Sequence, residues 1–347
     1  MRFICLLLAA LSLIETAHAT EPPDFKSKTI SIIVPFRAGG GTDAAARLIA
    51  TMIANELPGK PKLIVRNIPG GGGLPAVNYF VQQTQPDGLT MVMGSSSLSD
   101  PINYRKPQSK FDTTKFQIVG GVGRGGSLLI LRRDAEPRLL DKSKPPVIMG
   151  SIGGIPRFSL QMTAWGIELL GWNAKWVVGY PGTDDLMLAI DRGEVDMTAT
   201  SNMFQIMKLT DGAKFMIIAQ TGSPEGGRYV PRPEAPKVPV FNDMVAGRIA
   251  DPIAGKAFAY WKSVSSIDKW VALASATPPD ITSVYREAFV RVVGNPMFKV
   301  YGRKISQDFE AMAWADIQQI HDTLAATPPE AIAYIGDMLR RQGLKPE

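Results

Sequence analysis

The sequence predicts an α/β protein of two domains, with parallel-rich sheets that carry helices on both faces. Its 347 residues exceed the length of one typical domain. Hydrophobic residues make up 45% and charged residues 20%, which is a globular balance. From residue 29 to about residue 220, short apolar runs alternate with longer stretches of helical periodicity. This alternation is typical of strand–helix–strand units with parallel pairing.

The elements follow in order from local patterns. Thr29–Val34 is almost continuously apolar, as expected of a strand that is buried on both faces. A glycine-rich loop and a helix to about Leu57 follow, and Pro58-Gly59 ends that helix. Further strands are predicted at Leu63–Val65, Thr90–Gly94, Leu128–Leu131, Val147–Gly150, Trp176–Val178 and Phe215–Ala219. Helices are predicted at 75–84, 158–170, 184–192, 281–293, 309–325 and 329–342.

The stretch 222–239 is the most irregular part of the chain. It contains eight Gly or Pro residues in eighteen positions, so we expect an exposed loop. Two apolar runs, 127–131 and 270–274, are the predicted crossings between domains. The predicted division is a signal peptide at 1–19, a discontinuous domain 1 at 20–127 plus 270–347, and domain 2 at 128–269. No internal repeat is evident.

The first nineteen residues have the features of an export signal. Arg2 gives a positive start, Phe3–Ile14 is apolar but too short to cross a bilayer, and a small-x-small pattern ends at Ala19. We expect cleavage near Ala19. The remaining chain then has no cysteine, since Cys5 is removed, and one histidine, His321. Disulfides, zinc fingers, iron–sulfur clusters and thiol chemistry are therefore excluded.

His321 is the one histidine that could serve a catalytic relay. It lies in a polar-rich helical stretch, and no Gly-x-Ser-x-Gly motif occurs in the sequence. We therefore place it on a solvated helix face and expect no catalytic residue and no metal site. The formal net charge of +6 suits a small anionic ligand, but it falls short of the clustered basic stripe that nucleic acid requires.

The loop from Arg37 to Asp43 joins the first strand to the first helix. Its three glycines let backbone amides approach a ligand closely, and the helix start adds unpaired N–H groups and the positive end of a dipole. An anion site is the natural interpretation, and a tight turn without a ligand is the alternative. The loop also matches a dinucleotide fingerprint, but the second strand ends in Val65-Arg66 where NAD sites need an acid. No Lys follows the glycines, as a phosphate-binding P-loop would require.

Similar loops follow the other predicted strands. They include Gly70–Gly73, Gly94–Ser97, Gly150–Gly154 and Gly179–Asp184. In open parallel sheets all such loops emerge at the carboxyl edge, where ligands bind. Two such edges facing each other across a hinge would form a ligand cleft between the domains.

Three motifs carry a resemblance to a known family. They are Val34-Pro35-Phe36-Arg37-Ala38-Gly39-Gly40-Gly41-Thr42-Asp43, then Arg66-Asn67-Ile68-Pro69-Gly70-Gly71-Gly72-Gly73, then Pro86-Asp87-Gly88-Leu89-Thr90. In this order and spacing they resemble the substrate-binding proteins of tripartite tricarboxylate transporters, also called Bug proteins. The resemblance implies a periplasmic two-domain clamshell, type II-like, that holds a small carboxylate in the interdomain cleft. It also implies delivery to integral-membrane permease subunits. We further expect a monomer and no cofactor.

The resemblance and the loop positions together give a set of candidate ligand-binding residues. They are Arg37, Ala38, Gly39, Gly40, Thr42, Asp43, Ser95 and Ser96 in the first domain, and Ser151, Gly153, Gly154, Tyr180, Thr183 and Asn202 in the second. Arg157 is a weaker candidate.

Some of these side chains admit two roles. Asp43 either accepts loop or helix N–H groups or binds an amine or hydroxyl of the ligand. Arg37 either pairs with a carboxylate or points to solvent. Phe36, Phe158 and Tyr180 could form an apolar wall for an aromatic or alkyl acid, and for the first two we expect packing against the sheet instead.

The function predicted from these features is binding and transport of a small carboxylate (a di- or tricarboxylate, or the carboxylate of an aromatic or amino acid), without catalysis. A sensing adaptor for a membrane kinase is an alternative with the same fold. A dinucleotide-binding oxidoreductase is a further alternative from a different class. Binding of a nucleotide cofactor with catalysis would contradict both the transport function and the sensing function.

Overall fold

The computed structural model describes residues 23–345 except 124, 153–155, 157, 181–182 and 307–308. The predicted export signal lies outside the described residues. The strands are β1 (Thr29–Val34), β2 (Lys62–Asn67), β3 (Thr90–Ser95), β4 (Gln117–Gly123), β5 (Leu128–Arg132), β6 (Val147–Ile152), β7 (Ala174–Tyr180), β8 (Met197–Thr200), β9 (Phe215–Gln220), β10 (Ser223–Glu225), β11 (Arg228–Val230), β12 (Lys269–Leu273) and β13 (Glu310–Met312).

Helices separate most of these strands. They are α1 (Gly41–Glu56), α2 (Leu74–Gln83), α3 (Ser96–Ser99), α4 (Pro101–Tyr104), α5 (Glu136–Leu139), α6 (Gln161–Leu170), α7 (Thr183–Arg192), α8 (Met203–Thr210), α9 (Phe241–Met244), α10 (Pro252–Ser266), α11 (Pro279–Gly294), α12 (Pro296–Ile305), α13 (Trp314–Ala325) and α14 (Pro329–Arg341). A 3₁₀ turn at Phe158–Leu160 leads into α6. None of the described helices is long and apolar enough to span a lipid bilayer.

A six-stranded sheet has the order β13-β4-β12-β3-β1-β2. β1 pairs in parallel with β2 and with β3, so that Ile32 lies opposite Val65 and Met91. Ile30, Ile32 and Ile33 have no exposed surface, because helices cover both faces of this strand. The continuous apolar run in the sequence therefore corresponds to a strand buried on both sides.

A five-stranded sheet has the order β7-β6-β8-β5-β9. β6 is parallel to β7 and to β8, whereas β5 runs antiparallel to β8 and to β9. The same arrangement occurs in the first sheet, where β12 runs antiparallel to β3 and to β4. The prediction of an α/β protein with two sheets and helices is confirmed, and both sheets are mixed, because in each the strand that enters from the other half is reversed.

The length of the link between the two sheets explains why β5 is reversed. Residues 124–127 join the end of β4 to the start of β5 and can span at most about 18 Å. A parallel β5 would have to begin at the far edge of its sheet, which needs a crossover of a dozen residues or more. The short link instead joins the carboxyl edge of one sheet directly to the carboxyl edge of the other. Residues 267–268 make the return link from α10 to β12 in the same way.

Helix α10 lies beside both carboxyl edges. The Tyr260 hydroxyl donates to Asp100 Oδ1 at 3.0 Å, on the loop that follows β3. The indole N–H of Trp261 donates to the Phe158 carbonyl oxygen at 2.8 Å, on the loop that follows β6. The helix also packs against α13 and α14. Two consecutive residues of one helix thus contact loops of both sheets.

Two segments differ from the sequence-based expectation. The predicted helix 309–325 contains β13, an edge strand paired with β4, before α13 begins. The predicted exposed loop 222–239 contains the hairpin β10–β11. In that loop Arg232 is only 4% exposed and donates to the carbonyl oxygens of Gly126 and Ser201. The many Gly and Pro residues shape this connection, and a buried guanidinium anchors it.

Candidate ligand-binding site

The loop between β1 and α1 contains three exposed glycines in different conformations. Gly39 has φ of +84°, which L-residues rarely adopt, so the turn itself requires this glycine. Gly40 has φ of −79° and ψ of 166°, and a Cβ there would meet only the Arg37 carbonyl oxygen, at 3.6 Å. A Cβ on Gly41 would meet nothing within 4 Å. The turn therefore explains Gly39 but not Gly40 or Gly41.

Helix α1 begins at Gly41 without a side-chain cap, because Gly40 stands at the N-cap position. The first N–H groups of an α-helix have no carbonyl partner within the helix, and the positive end of the dipole lies there. Ala44 already donates its N–H to the Gly40 carbonyl oxygen at 2.9 Å. The preceding amides and the open space around the glycines suit a small anion.

Asp43 is 2% exposed and is held by three neighbours. Its carboxylate accepts the Gly39 N–H at 2.9 Å, the Arg47 guanidinium at 2.9 and 3.0 Å, and the Asn67 amide at 2.9 Å. The hydrogen bonds from Arg47 lower the pKa of Asp43 to about 2, against the opposing effect of burial. Of its two predicted roles, the geometry therefore favours bracing the loop from behind.

This network also changes the role of Gly39. Its N–H is engaged by Asp43 and does not point to a ligand. Gly39 thus shapes the loop, although the sequence placed it among the ligand contacts. Arg37 and Ala38 are exposed on the same loop, and Thr42 is half-buried in the first turn of α1.

Ser95 and Ser96 lie at the end of β3, which is the strand next to β1. The hydroxyl oxygens of Ser95 and Ser97 are 2.9 Å apart. The Ser96 N–H donates to the Asp268 carbonyl oxygen at 2.9 Å, so this amide is already used. Both serines are half-buried, and strand order places them beside the glycine loop.

The candidates of the second half are less completely described. Ser151 is fully buried near the end of β6 and has a bonding partner. Tyr180 ends β7, is half-buried, and packs against the apolar core beneath that sheet; burial raises its pKa. Gly153, Gly154 and Arg157 lie outside the described residues, as does the side chain of Thr183.

Asn202 has a structural role that the candidate list did not foresee. Its side-chain oxygen accepts the Gln205 N–H at 3.1 Å and so caps helix α8. Asn followed three residues later by Gln is a recognised start signal for a helix, so the sequence contained this information. The capping bond occupies the side-chain oxygen only, and binding of the ligand by Asn202 stays a prediction.

The structure ties together the carboxyl edges of the two sheets. The short links at 124–127 and 267–268, and the bonds of α10 to Asp100 and Phe158, hold these edges close together. Among the described residues, a cavity of about 570 Å³ lies elsewhere, between the 223–234 segment and α11 with β13. Another, of about 370 Å³, is lined by α7 and α8 and includes Asn202. Neither is lined by the glycine loop.

Sequence reasoning missed the residues that hold the loop in place. Arg47 follows Asp43 by four residues, which is the spacing of an ion pair on one helix face, so this contact was open to prediction. Asn67 ends β2, and its amide also donates to the Phe36 carbonyl oxygen at 3.0 Å. That bond depends on the pairing of β1 with β2, which the local sequence does not specify.

His321 is buried rather than solvated. It has no exposed surface, and its Nε2 lies 2.9 Å from the Ser99 hydroxyl, which also accepts the indole N–H of Trp270. Desolvation lowers the pKa of His321 to about 4. The described residues contain no cluster of three His, Cys, Asp or Glu that could hold a metal.

No protein-family model matches the chain. A UPF0065 protein of Bordetella pertussis is 33% identical over 129 residues, which are 37% of this chain and 38% of that protein. Protein BugT of the same organism is 35% identical over 95 residues, or 26% of this chain and 28% of that protein. The chain therefore matches less than half the length of these curated relatives.

Solved structures show the same fold over more of the chain. A TctC solute binding protein from Polaromonas has a TM-score of 0.65 at 18% identity and covers 90% of this chain and 98% of its own. A protein of R. palustris, solved with adipate, has a TM-score of 0.54 at 19% identity and covers 93% and 100%. In part of its sequence the chain is similar to the UPF0065/Bug proteins, which its three motifs resemble, and in its fold it is similar to a TctC solute binding protein.

Proposed function

We propose that this protein is a periplasmic solute receptor that binds a small carboxylate between its two sheets and releases it to an integral-membrane permease, without catalysis. The observation that carries the proposal is the pair Gly40 and Gly41. Neither needs to be glycine for its backbone conformation or for space within the fold. Their missing side chains instead leave room for a ligand at the uncapped start of α1.

The energetics require contacts from both halves. Micromolar binding needs about 8 kcal/mol, whereas one helix end contributes at most about 2 kcal/mol to an anion. Charge-assisted hydrogen bonds add roughly 1.5–3 kcal/mol each. One loop is therefore insufficient, and the facing loops after β6 and β7 are the source of the additional donors.

Several residues take proposed roles on this basis. Arg37, Ala38, Gly40 and Thr42 contact the carboxylate from one side, with Ser95 and Ser96 beside them. Ser151, Gly153, Gly154, Tyr180 and Thr183 close from the other side. The proposed domains remain 20–127 with 270–347, and 128–269, so that the ligand lies at their interface. The facing carboxyl edges support this division.

The relatives support the class of function. The Polaromonas protein is a solute binding protein, and the R. palustris structure contains adipate, a dicarboxylate. A further similar structure, with a TM-score of 0.51, is that of a periplasmic transporter. The leader-like residues 1–19 agree with export to that compartment.

The test combines a ligand screen with one glycine substitution. A thermal-shift screen of mono-, di- and tricarboxylates, aromatic acids and acidic amino acids identifies a ligand by its stabilising effect. We expect Gly40→Val to weaken binding of that ligand at least about 100-fold, or about 3 kcal/mol, because the branched side chain occupies the anion's place.

Gly294→Val is the matched control, because a Cβ there meets nothing within 4 Å and the residue lies far along the chain in α11. The control should fold and bind like the parent. Normal folding and unchanged binding by Gly40→Val would show that the carboxylate does not lie on this loop.

A further inference from the structure

Phe158 has an unusual backbone and an unusual exposure for an aromatic residue. Its φ is +51°, in the left-handed region that bulky side chains rarely adopt. Its side chain is 46% exposed, and it does not belong to any of the apolar core clusters of the described residues. The sequence had suggested packing against the sheet, and that expectation is wrong for Phe158. Packing in the core does not explain the strained backbone of this exposed residue, and such strain often occurs at functional sites.

The backbone of Phe158 is held by a buried partner. Trp261, on α10, is 2% exposed and donates its indole N–H to the Phe158 carbonyl oxygen at 2.8 Å. Its ring packs within an aromatic cluster with Trp165, Phe241 and Phe258. A buried indole N–H needs an acceptor, so this bond fixes the carbonyl inward. The Phe158 ring consequently remains outside the cluster.

The position of Phe158 in the fold places it at the proposed ligand site. It follows the end of β6, at the carboxyl edge of the second sheet. Trp261 holds Phe158 from one side of α10, and the adjacent residue Tyr260 bonds to Asp100 on the loop after β3. The exposed ring therefore belongs to the edge region where the two halves approach each other.

The neighbouring aromatic candidates do not offer the same surface. Phe36 is half-buried and packs against core clusters on both faces of its sheet. Tyr180 is half-buried and packs against the core beneath the second sheet. Of these three aromatic residues at the carboxyl edges, Phe158 has the largest apolar surface left uncovered. Covering such a surface with an apolar part of a ligand contributes favourably to the free energy of binding.

We propose that Phe158 is a specificity-determining residue of the proposed site and that it forms the wall against the non-carboxylate part of the ligand. The ligand class is then a carboxylate with an aryl or alkyl body, rather than a small, fully polar hydroxy acid. This inference rests on the proposed function, since the glycine loop is to hold the carboxylate. The glycine loop and Phe158 thus contact different parts of the ligand.

Two probes with the same charge and different bodies test the inference. Calorimetry with phenylacetate and with acetate should show that the parent binds phenylacetate at least tenfold more tightly. Phe158→Ser should reduce this ratio at least fivefold and leave acetate binding unchanged. Phe158→Tyr should keep the ratio, because the ring remains. Phe158→Gly should lose the preference while it raises thermal stability, because glycine adopts positive φ without strain.

Leu140→Ser is the matched control, because Leu140 is 73% exposed but lies on the chain segment that leads to the start of β6, at the opposite edge. It should leave the ratio unchanged. An unchanged ratio in both Phe158→Ser and Phe158→Gly would overturn the inference. Binding of acetate or citrate but not of phenylacetate by the parent would also overturn it and leave the proposed function intact. Absence of binding to every carboxylate, with Gly40→Val no different from the parent, would overturn both.

Discussion

At the scale of single residues, Asp43 shows how a negative charge can lie behind a site proposed for an anion. Its carboxylate is saturated by the Gly39 N–H, by Arg47 and by Asn67, and it is almost fully buried. The opposing charge of Arg47, at 2.9 Å, offsets the charge of this carboxylate. The amides at the start of α1 therefore remain available to a ligand.

We predict that the contribution of Asp43 to folding depends on acid pH. Because its pKa falls from 3.8 to about 2 on folding, the carboxylate stabilises the fold fully above pH 3.8 and loses this effect as the pH falls toward 2. The shift corresponds to roughly 2 kcal/mol, and less in practice because Arg47 is half-exposed. Urea unfolding of the parent and of Asp43→Asn should differ at pH 7, and the difference should shrink by more than half at pH 2.5.

Asp280→Asn, at an exposed position in α11, provides the comparison and should match the parent throughout. A difference between parent and Asp43→Asn that is as large at pH 2.5 as at pH 7 would refute the ion-pair explanation.

The sequence predicted the glycine loop, but it did not show which glycine the turn requires and which one leaves room for a ligand. The motif of a strand, three glycines and a helix indicated an anion site, and the Asp43–Arg47 spacing was visible. The positive φ of Gly39 and the ordinary φ of Gly40 arise from the way β1 and α1 pack against the sheet. This packing depends on long-range contacts, which a local pattern does not contain.

At the scale of elements, α13 is tied to the loop after β3 by a buried polar contact. His321 of α13, Ser99 of α3 and Trp270 of β12 meet through the Ser99 hydroxyl. The edge of the Trp270 ring also lies against His321, with ring centroids 5.3 Å apart. The loop that holds Ser95 and Ser96 therefore rests on a histidine that burial keeps neutral.

We predict that His321 makes folding stability sensitive to mild acid. Its pKa is about 4 in the fold and 6.5 in the unfolded chain, so the unfolded state takes up a proton first as the pH falls. Stability should therefore decrease from pH 6.5 to pH 4, by up to a few kcal/mol. The nearby Asp112 and Asp322 act in the opposite direction and moderate the loss.

The measurement is the free energy of unfolding of residues 20–347 at pH 7.5, 6 and 5, for the parent and for His321→Gln. Glutamine can still bond to Ser99 but does not titrate in this range. The variant should have lower stability at pH 7.5 and a flatter pH profile. Parallel profiles for both proteins would contradict this prediction.

Most helices and strands were predictable because their apolar spacing reflects burial on one or both faces. The edge strand β13 was not, since three residues carry no periodicity and their pairing with β4 decides their conformation. His321 was misplaced for a related reason. The polar residues around it cover the outer face of α13, while its own position faces Trp270.

At the scale of the whole molecule, five strands of each sheet share one order. In each, a parallel core of three strands is followed by a reversed strand, β12 or β5, and then by β4 or β9, and β13 adds a sixth strand at the edge of the first sheet. The sequence shows no repeat, because the same topology needs only the same alternation of apolar segments. The sequence could therefore predict two similar sheets but not their shared order.

We predict that ligand binding draws the two sheets together about the links at 124–127 and 267–268. Both links are short and lie side by side, which suits a hinge. Small-angle scattering should show a smaller radius of gyration when the ligand from the screen is added to the parent. Gly40→Val at the same ligand concentration should keep the radius of the free protein. A parent radius that does not change at saturation would exclude closure.

The position of β12 also determines when the first sheet can form during synthesis. β12 lies between β3 and β4, so these two strands, although made early, do not pair with each other. Residues up to Gly123 can form only a fragment of the sheet until the chain reaches Leu273. Such distant pairing slows folding. A delay of this kind keeps the new chain unfolded for longer, which is the state in which a chain that carries a leader can be threaded through a membrane.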